Sequence, residues 1–220
     1  MADALLERLR ALDVCAVSDA LDRLKLPASV SGLEARTVRA RIAGRVSTVK
    51  FAAGARTGAR HACTAAVEAG EPGGIVVVEQ RTGVTAAGWG GILSRAAKAR
   101  GLSGAIVDGP ARDIDEALEI GFPVFARGCT ARTARGRIYE ADSGCPVLIG
   151  EVTVEPDDYA LADSSGVAFI AAAEIERVLD AAEAIAAREA AMSRDVEAGK
   201  PVSEVMGASY EHMLSGDSGR

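Results

Sequence analysis

Hydrophobic and polar positions along this chain of 220 residues repeat with two different periods, and the switch between them outlines the fold. Apolar residues recur every three to four positions over Ala4–Leu12 and Val14–Leu24, which predicts two short helices before Pro27. A run of β-branched and polar residues in alternation predicts a strand over Gly44–Phe51. Thr57–Ala69 reads as a helix that stops at the Gly70–Gly74 turn. Ile75–Glu79 (IVVVE) is apolar nearly throughout, the pattern of a strand buried on both faces.

Glycines at 88, 90 and 91 lead into a helix predicted over Ile92–Arg100, with Leu93, Ala96, Ala97 and Arg100 at helical spacing and Gly101 as its stop. A strand at Ala105–Val107, a helix at Asp113–Ile120 and a strand at Phe122–Ala126 follow. This β-α-β-α-β run predicts parallel pairing with right-handed crossovers. Beyond Pro146 the segments VLIGEVTV, YALAD and GVAFI read as short hairpin-like strands, so the sheet is expected to be mixed. Ala172–Ala198 is a long helical pattern with an apolar stripe through Ile175, Leu179, Ala182 and Ile185; a short amphipathic segment follows Pro201, and Ser215–Arg220 is expected to fray. No internal repeat or linker divides the chain, which predicts a single domain over residues 1–220 with its C-terminal helices in 172–214.

Composition narrows the function classes. Apolar residues at 49% and charged residues at 25% exclude wholesale disorder. A formal charge of −6 argues against a nucleic-acid binder, whose affinity rests on neutralising phosphates. A few arginines in one cleft can still reverse the local field for an anionic substrate. Cysteines at 15, 63, 129 and 145 form no C-x-x-C pair and the chain has two histidines, which removes a zinc-site reading. Scattered thiols, together with the charged start MADALLERLR, predict a cytoplasmic protein. No run approaches the roughly 18 apolar residues of a membrane span.

Two segments could carry chemistry. Val107–Asp113 (VDGPARD) joins a buried strand to a helix, the place where α/β folds hold ligands. Its Asp-Gly-Pro reads as a turn that leaves Arg112 and Asp113 at a crevice lip, a planar fork for a carboxylate beside a hard oxygen for Mg²⁺. A helix cap formed by Asp113 with Glu116 accounts for the same residues equally well. In Gly88–Leu93 the glycines before a helix leave free N–H groups and a favourable dipole for an anion, although a plain tight turn also fits. The spacing matches neither a Walker loop nor a dinucleotide fingerprint. Both segments follow apolar strands, so both are expected to open on one edge of the sheet. Arg132, Arg135 and Arg137 could hold a second carboxylate or form a solvated loop; His61 reads as a packed or surface residue, Trp89 as pocket floor or core, and Asp19 as a structural hydrogen-bonding group. Cys129 has no nearby histidine in sequence to activate it.

The stretch WGGILSRAAKARGLSGAIVDGPARD, followed by DEALEIGFPVFARGCTARTARGR, closely resembles the RraA-like family, and the likeness runs from VSDALDRL to the last long helix. That family includes 4-hydroxy-4-methyl-2-oxoglutarate/4-carboxy-4-hydroxy-2-oxoadipate aldolases that also decarboxylate oxaloacetate, and regulators of ribonuclease activity. The resemblance implies a swivelling β/β/α-type layered α/β domain, assembled as a homotrimer or dimer of trimers with clefts between subunits. It implies a lyase in which Asp113 anchors Mg²⁺ (or Mn²⁺), largely through water, and Arg112 binds the pyruvate part of a 2-oxo acid. The amides at Ile92 and Leu93, after Gly90 and Gly91, fall where the family holds the substrate carboxylate. Glu189 lies where an interfacial glutamate of the aldolases reaches a neighbouring cleft. A non-catalytic regulator that binds a ribonuclease or another protein, or a specialised biosynthetic lyase or isomerase, are the alternatives.

Two positions depart from the family pattern. The aldolases carry an acid where this chain has Gly91, so negative charge is expected to be missing and space to be open there. Asp157 stands where glycine is usual, which concerns a turn.

Overall fold

The computed structural model describes residues 3–27, 29–56 and 61–207. Thr57–Arg60 and the expected frayed tail lie outside them. Two helices, α1 (Ala4–Ala11) and α2 (Val14–Leu24), open the chain as predicted. Each starts on an aspartate, Asp3 and Asp13, whose side chain accepts first-turn N–H groups.

The sheet is built around β2 (Ile42–Ala53), longer at both ends than its alternation suggested. Its early residues pair antiparallel with β9 (Tyr159–Asp163), its middle parallel with β3 (Ile75–Glu79), and its end antiparallel with β6 (Ile138–Ser143). From β3 the parallel order runs through β4 (Gly104–Ala111) to β5 (Val124–Cys129), and the two-residue strand β1 (Glu34–Ala35) closes that side. On the other side β10 (Gly166–Ile170) pairs with β9, and Val167 of β10 bridges to Val30. The result is a nearly closed sheet, mixed as the pattern and the family resemblance predicted.

Strand alternation divides the core. Ile75, Val77, Ile106 and Phe125 point inward, where the hairpin β7 (Val147–Ile149) and β8 (Val152–Val154) plugs the sheet with Val147, Ile149 and Val154. Val76, Val78, Ala105, Val107, Val124 and Ala126 point outward beneath α3 (Thr64–Ala69), α4 (Gly91–Ala99) and α5 (Ile114–Glu119). On the other flank, Ile175, Val178, Leu179, Ala182 and Ile185 of α6 (Ile175–Glu197) pack with α1, α2 and β9–β10. A 3₁₀ turn, Ala172–Glu174, precedes α6, and α7 (Val202–Val205) follows Pro201.

Two readings need correction. Asp108-Gly109-Pro110 is not a turn: it continues β4, with a register shift against β5 between Val107 and Pro110. Asp108 is 5% exposed and its carboxylate is taken by Arg127 and by the N–H of Gly150, so it is a structural anchor of the β7–β8 hairpin. On α4 the buried face is Leu93, Ser94 and Ala97, and Ala96 and Arg100 are exposed. Asp157 has φ 68°, the left-handed backbone that glycine adopts most readily, which accounts for glycine being usual there.

Candidate functional site

The ends of β3 and β4 bring the two glycine- and arginine-bearing segments side by side. Beyond β3, Gln80 is buried and its amide donates to the carbonyls of Val84 and Ala86, folding the loop back. Gly109 passes so close that a Cβ there would lie 2.8 Å from both Cβ and O of Gln80. Gly88 donates to Pro110 O at 2.9 Å and Arg112 N–H to Trp89 O at 3.0 Å, with a parallel bridge between Trp89 and Ala111. Gly88-Trp89 is therefore an added rung beside β4, and the plain-turn reading of the glycine run does not hold.

Trp89 is both core and pocket floor: it is 1% exposed, stacks on Phe122 and lines the cleft. Its Nε1 donates to Ser94 Oγ at 2.9 Å, and that hydroxyl lies 3.2 Å from Gly90 O, fixing the start of α4. The first helical hydrogen bond of α4 runs from Ser94 N–H to Gly90 O, so the N–H groups of Gly91, Ile92 and Leu93 have no partner within the helix.

Asp113 takes one of them. Its Oδ2 accepts from Gly91 N–H at 3.0 Å and from Arg112 Nε at 3.1 Å. Asp113 itself is left-handed, φ 56° and ψ 41°, and its side chain does not cap α5. The alternative in which Asp113 is a helix cap is thereby overturned, and the predicted helix starts one residue later. A non-glycine residue in that backbone region costs on the order of 1 kcal/mol, and such strain clusters at sites of function. The Gly91 N–H, aided by Arg112, holds the Asp113 carboxyl below its ordinary pKa, so it is an anion at neutral pH.

These groups line a cleft of about 210 Å³. One wall carries Gly90, Gly91, Ile92, Leu93, Arg112 and Asp113, and the other His61, Thr133 and Arg135. Asp113 is the sole acid among these lining residues, against two arginines, so the lining carries a net positive charge in a chain of charge −6. Of the three arginines in the 132–137 loop, Arg135 alone is on the cleft; Arg132 contributes its carbonyl to Ala87 N–H and Arg137 donates to Thr133 O. Phe51, His61, Ala62 and Thr133 were not expected there. The loop arginines were the one sequence signal near them.

Other candidates fall elsewhere. Glu189 does not line this chain's cleft; it sits near Asp19 and Asp13, and burial with those two charges raises its carboxyl pKa. Asp19 makes no side-chain hydrogen bond to any described residue, against expectation, and burial with Asp22 and Asp13 raises its pKa too. Cys63 is buried behind Gly88, and burial pushes its thiol pKa well up, which makes it a poor nucleophile. The space at Gly91 is not open. A Cβ there would lie 1.9 Å from Glu116 Oε2, so a carboxylate from α5 already fills it.

One carboxylate whose Oδ1 has no hydrogen-bond partner among the described residues suits a hard, strongly hydrated cation and does not suit a soft-metal cage. Among the described residues no group of three or more His, Cys, Asp or Glu side chains could hold a metal. A Mg²⁺-type ion held largely through water fits these residues; zinc does not. No helix among the described residues is long and apolar enough to cross a membrane.

A family profile described as RraA-like, Aldolase/RraA, matches residues 14–169. The chain is 29% identical over 190 residues to a Halalkalibacterium halodurans protein named "Putative 4-hydroxy-4-methyl-2-oxoglutarate aldolase", covering 86% of this chain and 87% of that one. It is 24% identical over 201 residues to protein DlpA of Legionella pneumophila, covering 91% of this chain; it spans only 33% of the length of that relative. Among solved structures, Streptomyces coelicolor RraAS2, described as an unusual member of the RNase ES inhibitor RraA protein family, superposes with a TM-score of 0.77. That match has 22% identity and covers 91% of this chain and 98% of the other, a likeness of fold.

Proposed function

Given that this chain belongs to the RraA-like family, Aldolase/RraA, we propose that it is a divalent-metal-dependent lyase that cleaves or decarboxylates a 2-oxo acid and releases pyruvate. One observation carries the reading: the carboxylate of Asp113, oriented by Gly91 N–H, shares a net positive cleft with the amides of Ile92 and Leu93, which have no hydrogen-bond partner among the described residues.

The amides at Ile92 and Leu93 bind the substrate carboxylate, with the positive end of the α4 dipole behind them. Asp113 would hold the Mg²⁺ or Mn²⁺ ion. When bound, the cation supplies Lewis-acid stabilisation to the enolate charge left by C–C cleavage. Arg112 engages Asp113 through Nε, which leaves its two terminal nitrogens for a substrate oxygen; such a donor is worth about 3 kcal/mol in a transition state. A water held by Arg112 takes the hydroxyl proton of a 4-hydroxy-2-oxo acid as the C–C bond breaks and gives a proton to the methylene carbon of the pyruvate enolate. Trp89 floors the cleft, and Arg135 with His61 receives the far end of the substrate, which favours a second carboxylate.

The proposed assembly is a homotrimer or a dimer of trimers. Ile92 supports it, being an isoleucine left 81% exposed at the cleft lip, an apolar side chain that an adjoining subunit would cover. In such an assembly Glu189 of a neighbouring chain would join the site.

The test is pyruvate release from oxaloacetate and from a 4-hydroxy-2-oxo acid, followed by NADH oxidation in a coupled assay. Activity is expected with Mg²⁺ or Mn²⁺, to vanish in EDTA and to return on adding metal. A chain inert toward every 2-oxo acid offered, yet inhibiting a ribonuclease, would move it to the non-catalytic branch. Full activity in EDTA would defeat the metal reading.

A further inference from the structure

Glycine at 91 makes room for a carboxylate that belongs to another helix. An ideal Cβ on Gly91 would lie 1.9 Å from Oε2 and 2.5 Å from Cδ of Glu116, and 3.1 Å from Cβ of Asp113. Gly91 is the first residue of α4 and is not among the positive-φ glycines. Backbone conformation therefore does not require glycine here; the space beside it is taken by the outer end of the Glu116 side chain. Glu116 comes from α5, one turn after Asp113, and reaches across to α4. Its Oε1 is hydrogen-bonded by Nε of Arg95 on α4, which leaves Oε2 as the oxygen turned toward Gly91.

Two carboxylates thus approach Gly91, the first residue of α4. Asp113 arrives through the Gly91 N–H and Glu116 through the volume its side chain would have filled. An Arg95–Glu116 pair serving only to tie two helices together could form anywhere along α4 and α5. Here it forms where Gly91 leaves room for it, beside the N–H that also holds Asp113.

We propose that Glu116 is a positioning residue of the cation site, delivering from α5 the negative charge that a side chain at residue 91 would otherwise supply. It orders the water shell of a cation anchored on Asp113 and does not touch the substrate. This rests on the reading of Asp113 as that anchor. Outer carboxylates of this kind change metal affinity by about 10–100-fold.

The experiment titrates Mn²⁺ alone, by the loss of its free paramagnetic signal, into the full chain and four variants, with circular dichroism as the folding check. Glu116→Gln, close to isosteric and still able to accept from Arg95, is expected to weaken Mn²⁺ binding at least 10-fold. Glu116→Ala is expected to do the same. Adding Gly91→Asp to Glu116→Ala moves the carboxylate onto the vacated space and is expected to bring affinity back to within about threefold of the parent. A merely structural pair predicts no such recovery. Binding by Glu116→Gln equal to the parent, or a double variant no better than Glu116→Ala, overturns the proposal. Asp113→Asn separates the two claims. If it binds Mn²⁺ as the parent does, the anchor reading fails; if it loses binding while both Glu116 variants keep it, the role of Glu116 alone fails.

Discussion

Replacing Asp108 with alanine should be among the most destabilising single changes near the cleft, although Asp108 does not line it. Its Oδ1 accepts from Arg127 Nε at 2.7 Å, its Oδ2 accepts from Gly150 N–H at 2.7 Å, and Arg81 Nε lies 3.7 Å from Oδ2. Arg127 also donates to Ser31 O and Arg81 to Gly150 O, so one carboxylate joins β4 and β5 to the β7–β8 hairpin and the loop before β1. Removing one partner of a buried pair typically costs about 3–5 kcal/mol. Arg127 and Arg81 are 36% and 43% exposed, and water reaching them reduces the penalty to roughly 2–3 kcal/mol. For a chain of this size that is a fall in Tm of roughly 5–10 °C. Asp108→Asn keeps one acceptor oxygen and should lose about half as much. Differential scanning calorimetry and urea denaturation measure both, and a double-mutant cycle with Arg127→Ala should return a coupling of about 1 kcal/mol or more. An Asp108→Ala protein melting within 1 °C of the parent would refute the argument.

Two further predictions concern charge. Burial, then Asp19 and Asp13, raise the Glu189 pKa, so between its ordinary value and the raised one the folded state holds more protons than the unfolded state. Stability therefore falls as pH rises through that window and stays lower above it. Glu189→Gln should add roughly 0.5 kcal/mol at pH 7, with the gain gone below about pH 4 in thermal melts; a loss at pH 7 would show that no repulsion exists. If Glu189 also serves a neighbouring cleft, the same variant loses activity while gaining stability. Arg135→Ala should raise KM for oxaloacetate about 10-fold, the scale of one partly solvated charged hydrogen bond, and leave kcat and the inhibition constant of pyruvate nearly unchanged. An equal effect on both ligands would place Arg135 outside the second-carboxylate role.

How far the sequence could be read depended on the kind of interaction. IVVVE matched β3 residue for residue, because a strand buried on both faces carries its signal in every position. The Arg112-Asp113 pair was legible because the two residues are adjacent and follow an apolar strand. β6 was missed: IYEADS pairs only at the end of β2 and leaves mostly polar, partly exposed positions. β1 was missed because two residues carry no period. Asp108-Gly109-Pro110 misled because each of those residues ordinarily breaks a strand; here Gly109 allows close passage by Gln80, and Asp108 is held by arginines distant in sequence. The occupant of the space at Gly91 could not be read at all, since it depends on how α4 packs against α5.

The central claim is that Asp113, through a bound cation, creates a 2-oxo-acid site next to the Ile92 and Leu93 amides. Oxalate, a planar mimic of the pyruvate enolate, tests this without turnover. Trp89, the chain's one tryptophan, floors the cleft and reports binding by fluorescence, with titration calorimetry alongside. Oxalate is predicted to bind the parent with Mg²⁺ and to lose at least 10-fold in affinity both in EDTA and in a folded Asp113→Asn variant. Equal affinity in all three conditions, or no binding to the Mg²⁺-loaded parent, would contradict the account.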